Sequence, residues 1–196
     1  MWLFLAQEVM FFGGLFMAYA IYRFKYFDAW FAGSQSLSVW IGGFNTVVLL
    51  FSSFTMAMGV YYCQVGNSKW LFRMLGATLG LGIAFVVIKW FFEYQPKIAE
   101  GVFPGALWGP HGHYADLAQV ANQGGLQLFF VLYYIMTGMH ALHMIIGFGI
   151  LLVLMWMAKR DKFGPQRYMP ILFFGLYWHF VDIVWVFLFP MFYLVT

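Results

Sequence analysis

Five apolar runs, each long enough to cross a bilayer, constrain this chain more than any other feature. They fall at about residues 2–23, 38–63, 71–94, 125–157 and 169–194. A helix needs about 20 residues to traverse the hydrocarbon, and a helix satisfies its own backbone there. The expected fold class is therefore all-α: a polytopic membrane protein whose residues 1–196 form a single membrane domain, a bundle of five transmembrane helices. Composition agrees, since 64% of residues are hydrophobic and 9% charged, against about 25% charged in soluble domains. The 21 glycines and nine tryptophans also fit, because Gly is common in membrane helices and Trp gathers at interfaces. A net charge of +3 without a long basic run carries no nucleic-acid signature, so no nucleic-acid partner is expected. The single cysteine, Cys63, excludes internal disulfides and any CxxC motif.

The first run begins at residue 2 with no basic flank and no small-residue cleavage site. It is too long for a signal-peptide core and carries a glutamate, so it reads as a mature span. The missing polar flank points either to a native start upstream of Met1 or to an absent extension.

Loop signals separate the spans. "RFKYFDAWFAGSQS", "CQVGNSKW" and "AKRDKFGPQRY" close the first, second and fourth gaps. The third gap, from about Gln95 to Gln123, holds three prolines and the pair His111 and His113. Two histidines are too few for a metal site. Lys69, Arg73, Lys159, Arg160, Lys162 and Arg167 fall in the second and fourth gaps, against Arg23, Lys25 and Lys97 in the first and third. The positive-inside rule then places the N-terminus in the cytoplasm and the C-terminus outside.

Ser38, Asn45, Ser52 and Gly59 recur at seven-residue intervals in the second span, with Gly42 and Cys63 beside them. Gly76 and Gly80 form a GxxxG in the third. Small, weakly polar stripes let membrane helices approach closely. They say helical bundle and nothing about function.

An ionisable group at bilayer depth costs at least about 2.5–3.5 kcal/mol, so each needs a reason. Glu8 shares a face of the first span with Phe4, Phe12, Leu15 and Tyr19. No counter-charge lies on that helix, and apolar burial favours the neutral acid. It reads equally as a proton-handling or lipid-contacting group and as a protonated structural residue. Lys89 and Glu93, four apart, either pair on one helix face or snorkel separately. His140 and His143 lie near the middle of the fourth span, His179 and Asp182 near the middle of the fifth. A rise of 1.5 Å per residue puts the two pairs at similar depth on antiparallel neighbours. A buried polar cluster between those spans is expected. Together with Glu8 it has ligands enough for a di-metal or haem site, although di-metal bundles bring more carboxylates than Asp182 and Glu8. The alternative is that His and Asp satisfy each other and bridge the helices. Residue types leave both open.

"QEVMFFGGLFMAY", "FNTVVLLFSS", "FFEY", "MTGMHALHMIIGFGILL" and "YWHFVDIVWVFLF" occur in this order along nearly the whole chain. The set resembles subunit III of haem–copper terminal oxidases, in the bacterial five-helix form. The resemblance implies a subunit of a cytochrome c oxidase, which reduces O2 to water and pumps protons across a bacterial inner membrane. It implies a non-catalytic chain with no metal, haem or copper of its own, those lying in partner subunits. It further implies packing against subunit I, neighbouring subunits such as subunit II, bound phospholipid and support of proton uptake. A respiratory supercomplex is compatible with it. By position, Glu8 matches the family's carbodiimide-reactive buried carboxylate. Asn45, Thr46, Glu93, Tyr94, His140, His143, His179 and Asp182 match its buried polar positions, which makes that cluster structural. A quinol oxidase subunit III and a nitric oxide reductase accessory subunit are the nearest alternatives, and a stand-alone membrane metallo-oxidase a more distant one. The sequence departs from the longer family form in lacking two N-terminal helices, so the lipid cleft they line does not carry over intact. The third loop is long for the family, and its "HGH" has no counterpart.

Overall fold

A computed structural model describes residues 1–103, 108–111, 114–115, 117 and 123–195. It is built of α1 (Trp2–Lys25), α2 (Phe27–Gln35), α3 (Val39–Val65), α4 (Ser68–Lys89), a π-helical turn (Trp90–Tyr94), α5 (Gln95–Ala99), α6 (Gln123–Lys159) and α7 (Met169–Tyr193). Counting Ser68–Ala99 as one continuous rod, five helices among the described residues are long and apolar enough to cross a membrane. They coincide with the five apolar runs to within a few residues.

Local chemistry sets the helix ends. The chain leaves α3 through Gly66, whose φ of 80° is the left-handed conformation that glycine adopts without cost. The Asn67 main-chain N–H closes the cap on the Tyr62 carbonyl at 2.9 Å. The Asn67 side chain then accepts from the Trp70 N–H at the start of α4. At the far end of α4, Pro96 has no N–H, and its ring crowds the carbonyl of Phe92. The turn just ahead widens, and the Gln95 N–H reaches back five residues to Trp90. A π-turn of this kind keeps the helix continuous past a proline.

Helices α3, α4, α6 and α7 pack around one another, and α7 is the most enclosed. Its tryptophans point inward: Trp178 Nε1 donates to Ser52 Oγ and Trp185 Nε1 to Thr46 Oγ1, both at 3.1 Å. Gly147 of α6 and Gly82 of α4 make room for the Trp178 ring, since a Cβ on Gly147 would stand 2.8 Å from it. On α3 the stripe of Gly42, Asn45, Ser52, Gly59 and Cys63 is buried, as its spacing predicts, whereas Ser38 at its head is exposed because it stands at the N-cap, before the helix enters the bundle. Helix α1 is peripheral, resting lightly on α2, α6 and α7.

Three sequence expectations change. The first gap is not a plain loop: Phe27–Gln35 is helical and buries Trp30 completely against Tyr19 and Phe129. The face it buries is Ala29, Trp30, Gly33 and Ser34, mostly small residues that carry little apolar signal, while Phe27 and Phe31 stay exposed. Lys97 is not a loop charge either, because the rod continues through Ala99 and buries it. Of the GxxxG pair, Gly76 meets Met155, whereas Gly80 faces open space.

Candidate functional site: two membrane-embedded ion pairs

Helices α1 and α6 bring together Glu8 and His143, whose Oε2 and Nε2 lie 3.0 Å apart. The other ring nitrogen, Nδ1, stands 2.8 Å from the Met139 carbonyl. A carbonyl only accepts, so Nδ1 carries a hydrogen. One proton is then left between Nε2 and the carboxyl. The pair is either a neutral acid donating to a neutral imidazole or a carboxylate receiving from an imidazolium. The counter-group that α1 could not supply comes from another helix. Tyr177 of α7 fixes the site from below by donating to the His143 carbonyl at 2.8 Å. The pair opens onto an apolar cleft of about 520 Å³ between α1, α6 and α7, lined among others by Phe4, Ile146, Ile150 and Phe173. Such a site can hold a proton beside hydrocarbon.

The second pair is sealed. Lys89 and Glu93 are 4% and 2% exposed and form a direct ion pair. Glu93 Oε2 also accepts from Tyr133 Oη at 2.6 Å and from Tyr193 Oη. The Lys89 ammonium donates to Tyr193 Oη and lies 4.7 Å from the Trp185 ring centroid and 4.9 Å from that of Tyr133. Lys97 Nζ donates to the Glu93 main-chain carbonyl. Tyr94 Oη lies 2.6 Å from Thr137 Oγ1, which donates to the Tyr133 carbonyl and so must accept from Tyr94. Helices α4, α6 and α7 are thereby tied at one level. Of the two readings left open for Lys89 and Glu93, pairing is the one realised. Tyr133, Tyr193, Trp185 and Lys97 do not stand out in the sequence as members of this site. Lys89, Glu93 and Lys97 at i, i+4 and i+8 would have been the signal, had Pro96 not suggested a helix end.

The four-residue polar cluster expected between α6 and α7 does not form as a mutual His–Asp clasp. His143 turns to α1. His179 Nδ1 lies 2.6 Å from Ser53 Oγ on α3, a partner on a third helix rather than on α6. Asp182 is buried beside the same Ser53 hydroxyl, and among the described residues no well-aligned hydrogen bond reaches either of its oxygens. His140 is enclosed by the rings of Phe85 and Trp185, and among the described residues neither its nitrogens nor the buried Asn45 amide has a hydrogen-bond partner. Thr46 Oγ1 donates to the Gly42 carbonyl while accepting from Trp185. Among the described residues no three His, Cys, Asp or Glu side chains converge as metal ligands. In the third gap, the His111 main-chain N–H caps the Glu100 carbonyl at 2.9 Å. His113 lies outside the described residues.

A polytopic α-helical membrane protein with ionisable pairs on its inner helix faces is the class that this geometry defines. Comparison with known proteins narrows it. The profile of the family "Cytochrome c oxidase subunit III" matches residues 125–196. A probable cytochrome c oxidase subunit 3 of Nocardia farcinica is 33% identical over 97% of this chain and 84% of its own length. The cytochrome c oxidase subunit 3 of a Synechocystis species is 31% identical over 98% of this chain and 72% of its own. A heme-copper oxidase subunit I+III of Aeropyrum pernix is 32% identical over the whole of this chain, which spans 22% of that protein. The chain belongs to the cytochrome c oxidase subunit III family. It is a multi-pass membrane subunit of a haem–copper oxidase and forms part of an oxidoreductase complex with other oxidase subunits.

Proposed function

We propose that this chain is the non-catalytic subunit III of a cytochrome c oxidase that reduces O2 to water and pumps protons. It packs against subunit I, holds phospholipid, and keeps proton delivery fast over many turnovers. Haem and copper reside in the partner subunits. The observation that carries the reading is the Glu8–His143 pair, which stations one exchangeable proton at the edge of an apolar cleft. A group of this kind suits proton handling next to lipid better than catalysis of electron transfer. The Aeropyrum pernix relative supports adjacency to subunit I, since its printed name joins the two subunits in one chain.

The lysine and arginine asymmetry supports a bacterial inner-membrane orientation with the N-terminus cytoplasmic and the C-terminus outside. The dispersal of His140, His143, His179 and Asp182 into separate environments favours this role over a stand-alone metallo-oxidase, which would need them together. A quinol oxidase subunit III is the second reading, and the identity of copurifying chains separates the two. The test is to purify the oxidase with and without this chain. Slower proton uptake and faster inactivation during turnover are expected without it; unchanged values for both overturn the proposal.

A further inference from the structure

At the end of the bundle formed by the α3–α4 and α6–α7 connections, three cations converge. Lys69 and Arg73 of α4 and Lys159 of α6 line one hollow of about 480 Å³, together with Ser68, Phe72 and Asp161. The ion pairs among the described residues are Lys89–Glu93 and Glu8–His143, so none of these three cations has a carboxylate partner. Asp161 offers one negative charge against three positive ones. Tryptophans mark the depth as interfacial. The Arg73 guanidinium stands 5.1 Å from the Trp70 ring centroid, and that of Arg160 stands 3.8 Å from the Trp156 centroid. Aromatic rings paired with cations at a helix end are how a membrane protein meets the headgroup layer.

Toward the bilayer centre the adjoining faces of the two helices are apolar. Helix α4 exposes Phe72 and Ile83, helix α6 exposes Ile145, Leu152 and Trp156, and the helices meet where Gly76 faces Met155. Gly80 adds open space on α4, since a Cβ there would have nothing within 4 Å. From Phe72 to Ile83 this apolar surface runs about 16 Å at 1.5 Å per residue. One leaflet of hydrocarbon is about 15 Å deep. A cationic hollow thus sits above exposed apolar surface one leaflet long.

We infer that this surface binds an anionic phospholipid, with its phosphate held by Lys69, Arg73 and Lys159 and an acyl chain laid along the exposed apolar side chains of α4 and α6. The site is separate from the cleft beside Glu8, which lies between α1, α6 and α7 and has no lysine or arginine among its lining residues. The inference deepens, and rests on, the reading of this chain as a lipid-holding oxidase subunit. Charge selects the ligand, because a zwitterionic headgroup brings its own cation into a hollow that already holds three.

The test uses the assembled oxidase in phosphatidylcholine nanodiscs, titrated with phosphatidylglycerol and read by native mass spectrometry. Relative to the native complex, Lys69→Gln/Arg73→Gln/Lys159→Gln is expected to weaken phosphatidylglycerol retention roughly 100-fold, about fivefold per charge removed. Lys25→Gln, at the opposite end of the bundle, leaves retention unchanged. If the triple variant fails to assemble, Lys159→Gln alone gives the fivefold shift. Equal retention by native and variant complexes overturns the inference. So does displacement of the lipid by inorganic phosphate, equal retention of phosphatidylcholine, or an acidic polypeptide found in its place. The same spectra show which chains accompany this one. Loss of the other oxidase subunits from the native complex counts against the reading as subunit III, whereas an intact complex without selective lipid counts against this site alone.

Discussion

Glu8–His143 and Lys89–Glu93 are both acid–base pairs inside the membrane region, yet they solve the cost of charge in opposite ways. The first joins two helices at the mouth of an apolar cleft, and its one shared proton allows it to be neutral. The second unites neighbours on one rod, walled in by Tyr94, Tyr133, Trp185 and Tyr193. Ring faces stabilise the ammonium, and tyrosine hydroxyls donate to the carboxylate. The difference teaches that a buried charge is tolerated either by being able to disappear or by being fully solvated with protein groups. Only the first kind is suited to exchanging protons with its surroundings.

The sharpest way to break this contrast is at the sealed pair. Glu93→Ala leaves Lys89 buried and unpaired and should cost about 3–5 kcal/mol. Thermal unfolding of the complex and retention of this chain would show it; unchanged values would mean that the cage is not sealed. Lys89→Met combined with Glu93→Leu removes both charges, and should recover most of the loss seen in either single variant. If the double variant is as unstable as the sum of its parts, Tyr133 and Tyr193 depend on the carboxylate more than on the pair. Glu8→Gln is expected to keep the complex assembled, because a neutral amide can still donate to His143 Nε2. Subunit stoichiometry checks this, and loss of the chain would show Glu8 to be an obligatory anion. A hydrophobic carbodiimide should modify Glu8 from the cleft and leave Glu93 untouched, as peptide mapping would reveal. The smallest effect belongs to Ser53→Ala, which removes one interhelical hydrogen bond to His179 and should cost about 0.6 kcal/mol.

The contrast also explains what could be read in advance. All five spans were legible, because hydrocarbon imposes one length and one backbone solution on every crossing segment. Glu8, His143, Lys89 and Glu93 stood out because few ionisable groups occur at that depth. The buried face of α3 followed from the seven-residue recurrence of small residues. His179 and Asp182 were placed at the right depth and given the wrong neighbours. Depth along a helix is fixed by residue number, but the direction of a side chain around the axis has meaning only once the adjacent helices are in position. Residues three apart differ by about 60° around a helix, enough for His140 to meet Trp185 while His143 meets Glu8.

Sequence alone thus determined the membrane class, the number of crossings, the family and the positions where charge enters the bilayer. Each is a property of one segment at a time, dictated by hydropathy and local backbone chemistry. Tertiary structure decided which partner each charge has, that α2 is a helix packed against α6, that Lys97 is enclosed, and that Gly80 faces open space rather than a helix contact. Those facts depend on how helices far apart in sequence are rotated against each other, and the packing of the whole bundle sets that rotation.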